Sequence, residues 1–213
     1  VLLPLLGVAQ APLEAGIFIG LSNYQGDLVQ SPTPRMSESN FAGGLMLRGQ
    51  INQKWGMRGS MMYGKLSGND ANYPGRAQRG YSFETTLLEV AAIAEWEPFK
   101  PDTYFAGLIV NRKPSPYLFM GAAAAFISPQ ASYNGDASPN AALDRNAAYS
   151  NMQFAIPLGV GVKMDVNTSW ALGLELGTRA TFTDYLDGVS QAGEPGTNDW
   201  YLFGGLIALY RIK

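Results

Sequence analysis

The chain has 213 residues, enough for one domain, with 46% hydrophobic and 12% aromatic residues but only 15% charged, and a formal net charge of −2. Cysteine and histidine are both absent, which excludes disulfides, thiolate and imidazole metal sites and any histidine-dependent triad. Glycine is abundant at 25 residues, a mixture suited to strands and close packing rather than long surface helices, and no basic patch argues for nucleic acid.

In chain order, the first stretch, Val1-Leu2-Leu3-Pro4-Leu5-Leu6-Gly7-Val8, is short and apolar. It runs into Ala9-Gln10-Ala11, the small-x-small pattern of a signal-peptidase site. Residues 1–11 are therefore expected to be a signal-peptide remnant and 12–213 the mature domain. No later stretch reaches the roughly 18 apolar residues of a membrane-spanning helix, so a bilayer could be crossed only by a closed barrel.

From there the alternation has period two, the mark of strands with two unlike faces. Residues 13–21 set Leu13, Ala15, Ile17, Ile19 and Leu21 against Glu14, Gly16 and Gly20. Residues 41–51 set Phe41, Leu45, Leu47 and Ile51 against Arg48 and Gln50, and 55–63 set Trp55, Met57, Met61 and Tyr63 against Arg58 and Ser60. In 88–96 the apolar face is Leu88, Val90, Ala92, Ala94 and Trp96, and the other carries Glu89, Ile93 and Glu95. Residues 117–126 are apolar on both faces, and their facing stays open. In 152–164 every even residue is large and apolar, from Met152 to Met164, while the odd ones include Gly159, Gly161 and Lys163. Residues 170–182 set Trp170, Leu172, Leu174, Leu176 and Phe182 against Glu175, Gly177 and Arg179. The last segment, 200–212, is again apolar on both sides, with Arg211 favouring inward odd positions. That makes eight strands.

Long polar connections are read at roughly 22–40, 67–80, 128–150 and 183–198, and short ones at 52–54 and 165–169. Alternating long and short connections are the habit of outer-membrane barrels. A soluble barrel would carry a similar alternation turned inside out. Three features favour a lipid-facing exterior. Trp55, Trp96 and Trp170 fall at the short-turn ends of strands, and Tyr63, Phe182 and Trp200 near the long-loop ends, which gives two aromatic girdles. The opposite face holds Glu14, Glu89, Glu95 and Glu175 with Arg48, Arg58, Lys163 and Arg179, four acids and four bases for a paired lumen network. The leader implies export. The expected fold is all-β: an eight-stranded antiparallel transmembrane β-barrel with long extracellular loops and short periplasmic turns, integral to the outer membrane and in contact with its lipids.

Little in the chain suggests chemistry. The loop acids Asp27, Asp70, Asp136, Asp184, Asp187, Glu194 and Asp199 lack the spacing of a calcium loop. Gly159-Val160-Gly161-Val162-Lys163 resembles a phosphate loop only superficially, since it sits mid-strand with no helix after it. No catalytic residue, cofactor, metal or small-molecule substrate is indicated. One connection, 98–115, is longer than a turn. In it Lys100, Arg112 and Lys113 flank an apolar run containing Tyr104, Phe105, Leu108 and Ile109. It reads equally as a small hairpin or as a periplasmic partner contact, because apolar surface rimmed by charge invites docking.

Several motifs carry a resemblance: residues 20–28 (Gly-Leu-Ser-Asn-Tyr-Gln-Gly-Asp-Leu), residues 63–70 (Tyr-Gly-Lys-Leu-Ser-Gly-Asn-Asp), Pro116-Tyr117-Leu118-Phe119, residues 154–159, and Gly173-Leu174-Glu175-Leu176-Gly177 continuing to residues 181–187 (Thr-Phe-Thr-Asp-Tyr-Leu-Asp). In this order the chain resembles the PorG-type outer-membrane barrels of Bacteroidota. The resemblance implies a non-enzymatic component of the type IX secretion (gliding-associated) machinery that ties a periplasmic ring-forming lipoprotein and its partner protein to the outer membrane. Paralogues in that family leave open a surface-exposed interaction or stability barrel acting through its long loops.

Overall fold

The computed structural model describes residues 13–26, 28–29, 35–73, 75–99, 113–193 and 196–212. The expected leader, residues 1–11, lies outside the described residues.

Eight strands follow one another around a closed antiparallel barrel: β1 (Leu13–Gln25), β2 (Asn40–Gln50), β3 (Trp55–Asn69), β4 (Ser82–Trp96), β5 (Ser115–Ser132), β6 (Met152–Asp165), β7 (Trp170–Thr181) and β8 (Trp200–Ile212). Closure is made by β1 against β8, from Leu13 opposite Ile212 to Gln25 opposite Trp200. Both ends of the barrel chain therefore lie at the rim that also carries connections 51–54, 97–114 and 166–169, called here the near rim. The other four connections form the far rim.

Closure leaves no open strand edge, and the alternation decides which face goes where. At odd positions of β1 to β3 and even positions of β4 to β8, side chains point outward. These include Ile19, Leu45, Met61, Val90, Leu158, Leu174 and Leu206, all exposed. The outward residues carry no Asp, Glu, Lys or Arg until Lys65 and Glu84, which pair with each other toward the far rim. The interior holds Phe18, Met46, Ile93, Phe119, Phe203 and Leu209, together with buried ionisable groups. This is the inside-out arrangement of a transmembrane barrel. In a soluble barrel the two faces would be exchanged.

The facing left open for 117–126 is settled by bulk. Tyr117 and Phe119 point inward, where glycines of the neighbouring strands leave room: a Cβ on Gly161 would lie 2.3 Å from the Tyr117 ring, and one on Gly177 2.5 Å from Phe119. β8 likewise turns Tyr201, Phe203, Ile207 and Leu209 inward. The β5–β6 ladder has one gap, between the pairs Met120–Leu158 and Ala123–Ala155, at Pro157, whose nitrogen has no hydrogen to donate.

The strands are longer than the alternation marked. β1 extends to Gln25, β3 to Asn69 and β5 to Ser132, so hairpins project beyond the apolar band. A short helix, α1 (Pro139–Arg145), was not anticipated by alternation. It starts on Ser138, whose hydroxyl accepts from Ala141 N at 3.3 Å, with Pro139 at its first turn.

Candidate functional site

Near the near rim, one network of charges fills the lumen. Arg48 on β2 is its centre: Nη1 meets Glu14 Oε2 at 2.6 Å, Nη2 meets Glu97 Oε1 at 2.5 Å, and Nε donates to Glu95. From Glu95 the network passes to Arg58 Nη1 at 3.4 Å and on to Glu175, which also accepts from the Tyr117 hydroxyl at 2.5 Å. From Glu97 it reaches Lys163 Nζ at 2.6 Å, and from Glu14 it reaches Arg211 at 3.1 Å and then Asp165. Every strand except β5 brings a charged residue to this cluster, and β5 brings Tyr117. Desolvating so many ions is costly, and only mutual pairing offsets it.

Six of the eight residues read as a lumen network, Glu14, Arg48, Arg58, Glu95, Lys163 and Glu175, sit in this cluster. The other two form a separate layer closer to the far rim. There Arg179 Nε lies 3.1 Å from Glu89 Oε2, Tyr201 donates to the same oxygen at 2.7 Å, and the guanidinium stacks 4.6 Å from the Phe203 ring centre. The phenylalanine-rich middle of the barrel lies between the two layers. Glu97, Asp165 and Arg211 join the first cluster and were not among the network residues read from the sequence. Each keeps the inward parity of its strand, Glu97 continuing Glu89 and Glu95, Asp165 continuing Lys163, and Arg211 continuing Tyr201 and Leu209. That parity was the available signal.

At the far rim the 182–199 connection folds over the barrel mouth. Leu186, Asp187, Val189 and Ser190 are all buried. Tyr24 donates to Asp187 Oδ2 at 2.7 Å and its hydroxyl is also hydrogen-bonded to Asp199, whose other oxygen accepts from Leu186 N at 2.9 Å. Thr85 donates to the Leu186 carbonyl at 2.5 Å and Tyr133 to the Gly188 carbonyl at 2.6 Å. From α1, Asp144 accepts from the backbone of Ser190, Gln191 and Ala192. Burial, reinforced by the neighbouring Asp187 carboxylate, pushes the Asp199 carboxyl well above the usual range.

The aromatic residues sit at two levels of the outer wall. Trp55 opens β3 and Trp96 closes β4; they face each other in register and stack at 6.2 Å. Trp170 opens β7 and packs 5.0 Å from Tyr210. Tyr63, Phe182 and Trp200 are exposed on the far-rim side. Two of the near-rim tryptophans are set by matching turns, Ile51-Asn52-Gln53-Lys54-Trp55 and Val166-Asn167-Thr168-Ser169-Trp170. In each the asparagine Oδ1 accepts two backbone hydrogens, at 3.0 and 3.0 Å in the first and 2.8 and 2.9 Å in the second. The repeated pattern of an aliphatic residue, Asn, two residues and Trp is visible in the sequence.

Of the candidate partner contact, Lys100, Tyr104, Phe105, Leu108, Ile109 and Arg112 lie outside the described residues. Lys113 is exposed, as is Phe99 at 75%. Between them and the barrel, Glu97 N donates to the Lys54 carbonyl at 2.7 Å. Among the described residues no group of three His, Cys, Asp or Glu side chains is arranged to hold a metal ion.

Residues 1–212 match the family described as a domain of unknown function, DUF6089. The chain belongs to the DUF6089 family. No curated protein matches it. Among solved structures, the DUF6089 barrel is similar to Ail, the attachment invasion locus protein of Yersinia pestis, at 11% identity and a TM-score of 0.49, over 95% of this chain and 99% of that one. It is similar to a major outer membrane protein from Thermus thermophilus at 15% and 0.49, over 94% and 99%. The N-terminal barrel domain of Pseudomonas aeruginosa OprF matches at 10% and 0.46, over 95% and 100%. The architecture of the DUF6089 barrel stands on its own ladder of paired strands: a closed barrel, apolar outside and charged within, integral to the outer membrane.

Proposed function

We propose that this barrel is a non-enzymatic outer-membrane anchor for a periplasmic protein-secretion assembly of the type IX kind. An eight-stranded barrel has a bore only wide enough for its own side chains, and here those side chains are locked in ion pairs, so the activity is carried by the ends of the barrel. The observation that supports anchoring is Glu97. It is the first residue of the 97–114 connection and a buried member of the lumen network, held by Arg48 and Lys163. Load applied to that connection passes into ion pairs that span the barrel, which suits an anchor. The near rim, carrying both ends of the barrel, faces the periplasm in this reading; exposed Phe99 adjoins the partner contact and exposed Lys113 is its last residue. The resemblance to PorG-type barrels names the partners as a ring-forming lipoprotein and its associated protein.

Deleting residues 100–113 tests the reading. Co-purification of the periplasmic ring proteins is expected to be lost while the barrel keeps its heat-modifiable mobility on gels. Undiminished recovery of both ring proteins contradicts it. A role through the far-rim loops, which expose Met36 and Leu143, is the second reading, and there exchanging loops rather than deleting 100–113 changes the phenotype.

A further inference from the structure

The outer wall is not uniformly convex. A groove of about 870 Å³ runs obliquely across it, lined almost wholly by apolar atoms. Its lower edge is one rung of the strand ladder: Trp170 opposite Tyr210, Tyr210 opposite Ala15, Ala15 opposite Leu47 and Leu47 opposite Gly59. Its upper edge is the next outward-facing rung, from Ala208 through Ile17, Leu45 and Met61 to Val90. Large residues on the upper rung stand over Ala15 and Gly59 on the lower one, and this difference in bulk makes the concavity.

The path of the groove has a direction. Trp170 is the first residue of β7, at headgroup depth. Tyr210 is two residues from the end of β8, and Ala15 two from the start of β1. Leu47 is three from the end of β2, Gly59 four into β3 and Val90 six from the end of β4. Crossing five strand spacings covers about 24 Å. With strands tilted about 40° the rung climbs roughly 15 Å along the membrane normal. The six residues between Val90 and Trp96 give about the same rise. That is half of a hydrocarbon core of about 30 Å, or one leaflet.

We propose that this groove holds one acyl chain of a phospholipid from the near-rim leaflet, its glycerol end beside Trp170 and Tyr210. A lipid tail descends from headgroup depth to the midplane, as the groove does. A second barrel packed side by side would cover strands lengthwise instead. The walls offer almost no polar surface for a peptide backbone to meet. The groove lies wholly within the band already in contact with lipid, so its occupant comes from the bilayer.

Gly59 supplies the test, because a Cβ built there meets nothing within 4 Å; a side chain fits without disturbing the barrel and projects into the groove. The full-length barrel is reconstituted in vesicles of phosphatidylethanolamine, phosphatidylglycerol and lipid A, re-extracted in mild detergent and examined by native mass spectrometry. One retained phospholipid per barrel is expected for the unmodified protein. Occupancy should fall at least fivefold in Gly59→Leu and in the second filling variant, Ala15→Leu. It should be unchanged in Ala122→Leu, on the lipid-facing wall of β5 outside the groove. Heat-modifiable mobility on gels identifies the folded variants that are compared. Equal retention in the filling variants, no retained lipid in the unmodified barrel, preferential retention of lipid A, or a dimer that Gly59→Leu dissociates would each overturn the proposal.

Discussion

Glu97 Oε1 lies 2.6 Å from Lys163 Nζ and receives Arg48 Nη2 as well, so two cations from opposite parts of the wall share one carboxylate oxygen at the foot of the 97–114 connection. All three side chains are buried. This pairing joins the barrel interior to the segment through which an anchor would act.

Replacing Glu97 by Gln leaves Lys163 and Arg48 buried with one negative charge fewer between them. Removing one member of a buried ion pair costs about 3–5 kcal/mol. The urea midpoint for unfolding from detergent micelles is expected to fall accordingly. A substitution at an exposed pair, Lys65→Gln beside Glu84, should leave it nearly unchanged.

Tyr24 holds the mouth connection through two carboxylates at once. Tyr24→Phe removes that hydroxyl and leaves Asp187 and Asp199 facing each other without it, a loss of about 1–3 kcal/mol for a buried acceptor. Hydrogen exchange of the Leu186, Asp187 and Val189 amides should then accelerate about 5- to 150-fold, the factor that follows from this energy at about 1.4 kcal/mol per tenfold, with strand amides unaffected.

The same cluster sets a pH dependence. The Asp199 carboxyl titrates well above its ordinary value because of burial and the Asp187 charge, so the closed mouth favours the protonated acid. Its contribution to stability is complete below the ordinary carboxylate pKa near 3.8 and is lost as pH rises through the raised value. Cleavage within 182–199 by an added protease with constant activity across the range should therefore increase as pH is raised from the ordinary carboxylate range through the elevated Asp199 value. In Asp199→Asn, which cannot ionise, that increase should be abolished.

Asn52 and Asn167 each accept two backbone hydrogens in the turns that set Trp55 and Trp170. Either Asn→Ala substitution is expected to cost about 1 kcal/mol, read as a lower urea midpoint. The double substitution should be additive, because the two turns share no hydrogen bond in common.

Much of this architecture is legible in the sequence because a membrane imposes a strict rule on alternate residues. The even positions of 152–164 and, apart from Thr178, of 170–182 are apolar and face outward, and Glu14, Arg48 and Glu175 face inward for the same reason. The rule fails where both faces are apolar. Strands β5 and β8 place large apolar residues on both faces, Phe119 and Phe203 inside and Met120 and Leu206 outside, so hydropathy alone carries no direction there, and only the matching inner glycines of β6 and β7 do. At strand ends the parity still holds for Glu97, Asp165 and Arg211, but alternation alone does not show that they meet the network across the lumen from distant parts of the chain. The mouth connection is invisible for a different reason: Leu186 and Val189 are buried by loop contacts with β1, β4 and α1, which have no periodicity to detect.

The central claim is that alternate residues of each strand look into lipid and into a packed, charged lumen. The chain contains no cysteine, so single cysteines can be introduced and spin-labelled one at a time along 156–164 in vesicles. Labels at positions 156, 158, 160, 162 and 164 should be readily reached by oxygen and poorly by a water-soluble nickel chelate, with oxygen access greatest toward the middle of the band. Labels at 155, and at 171 on the facing strand β7, inward positions that already carry a Cβ, should be shielded from both. High nickel access at the even positions, or loss of the two-residue period, would contradict the account.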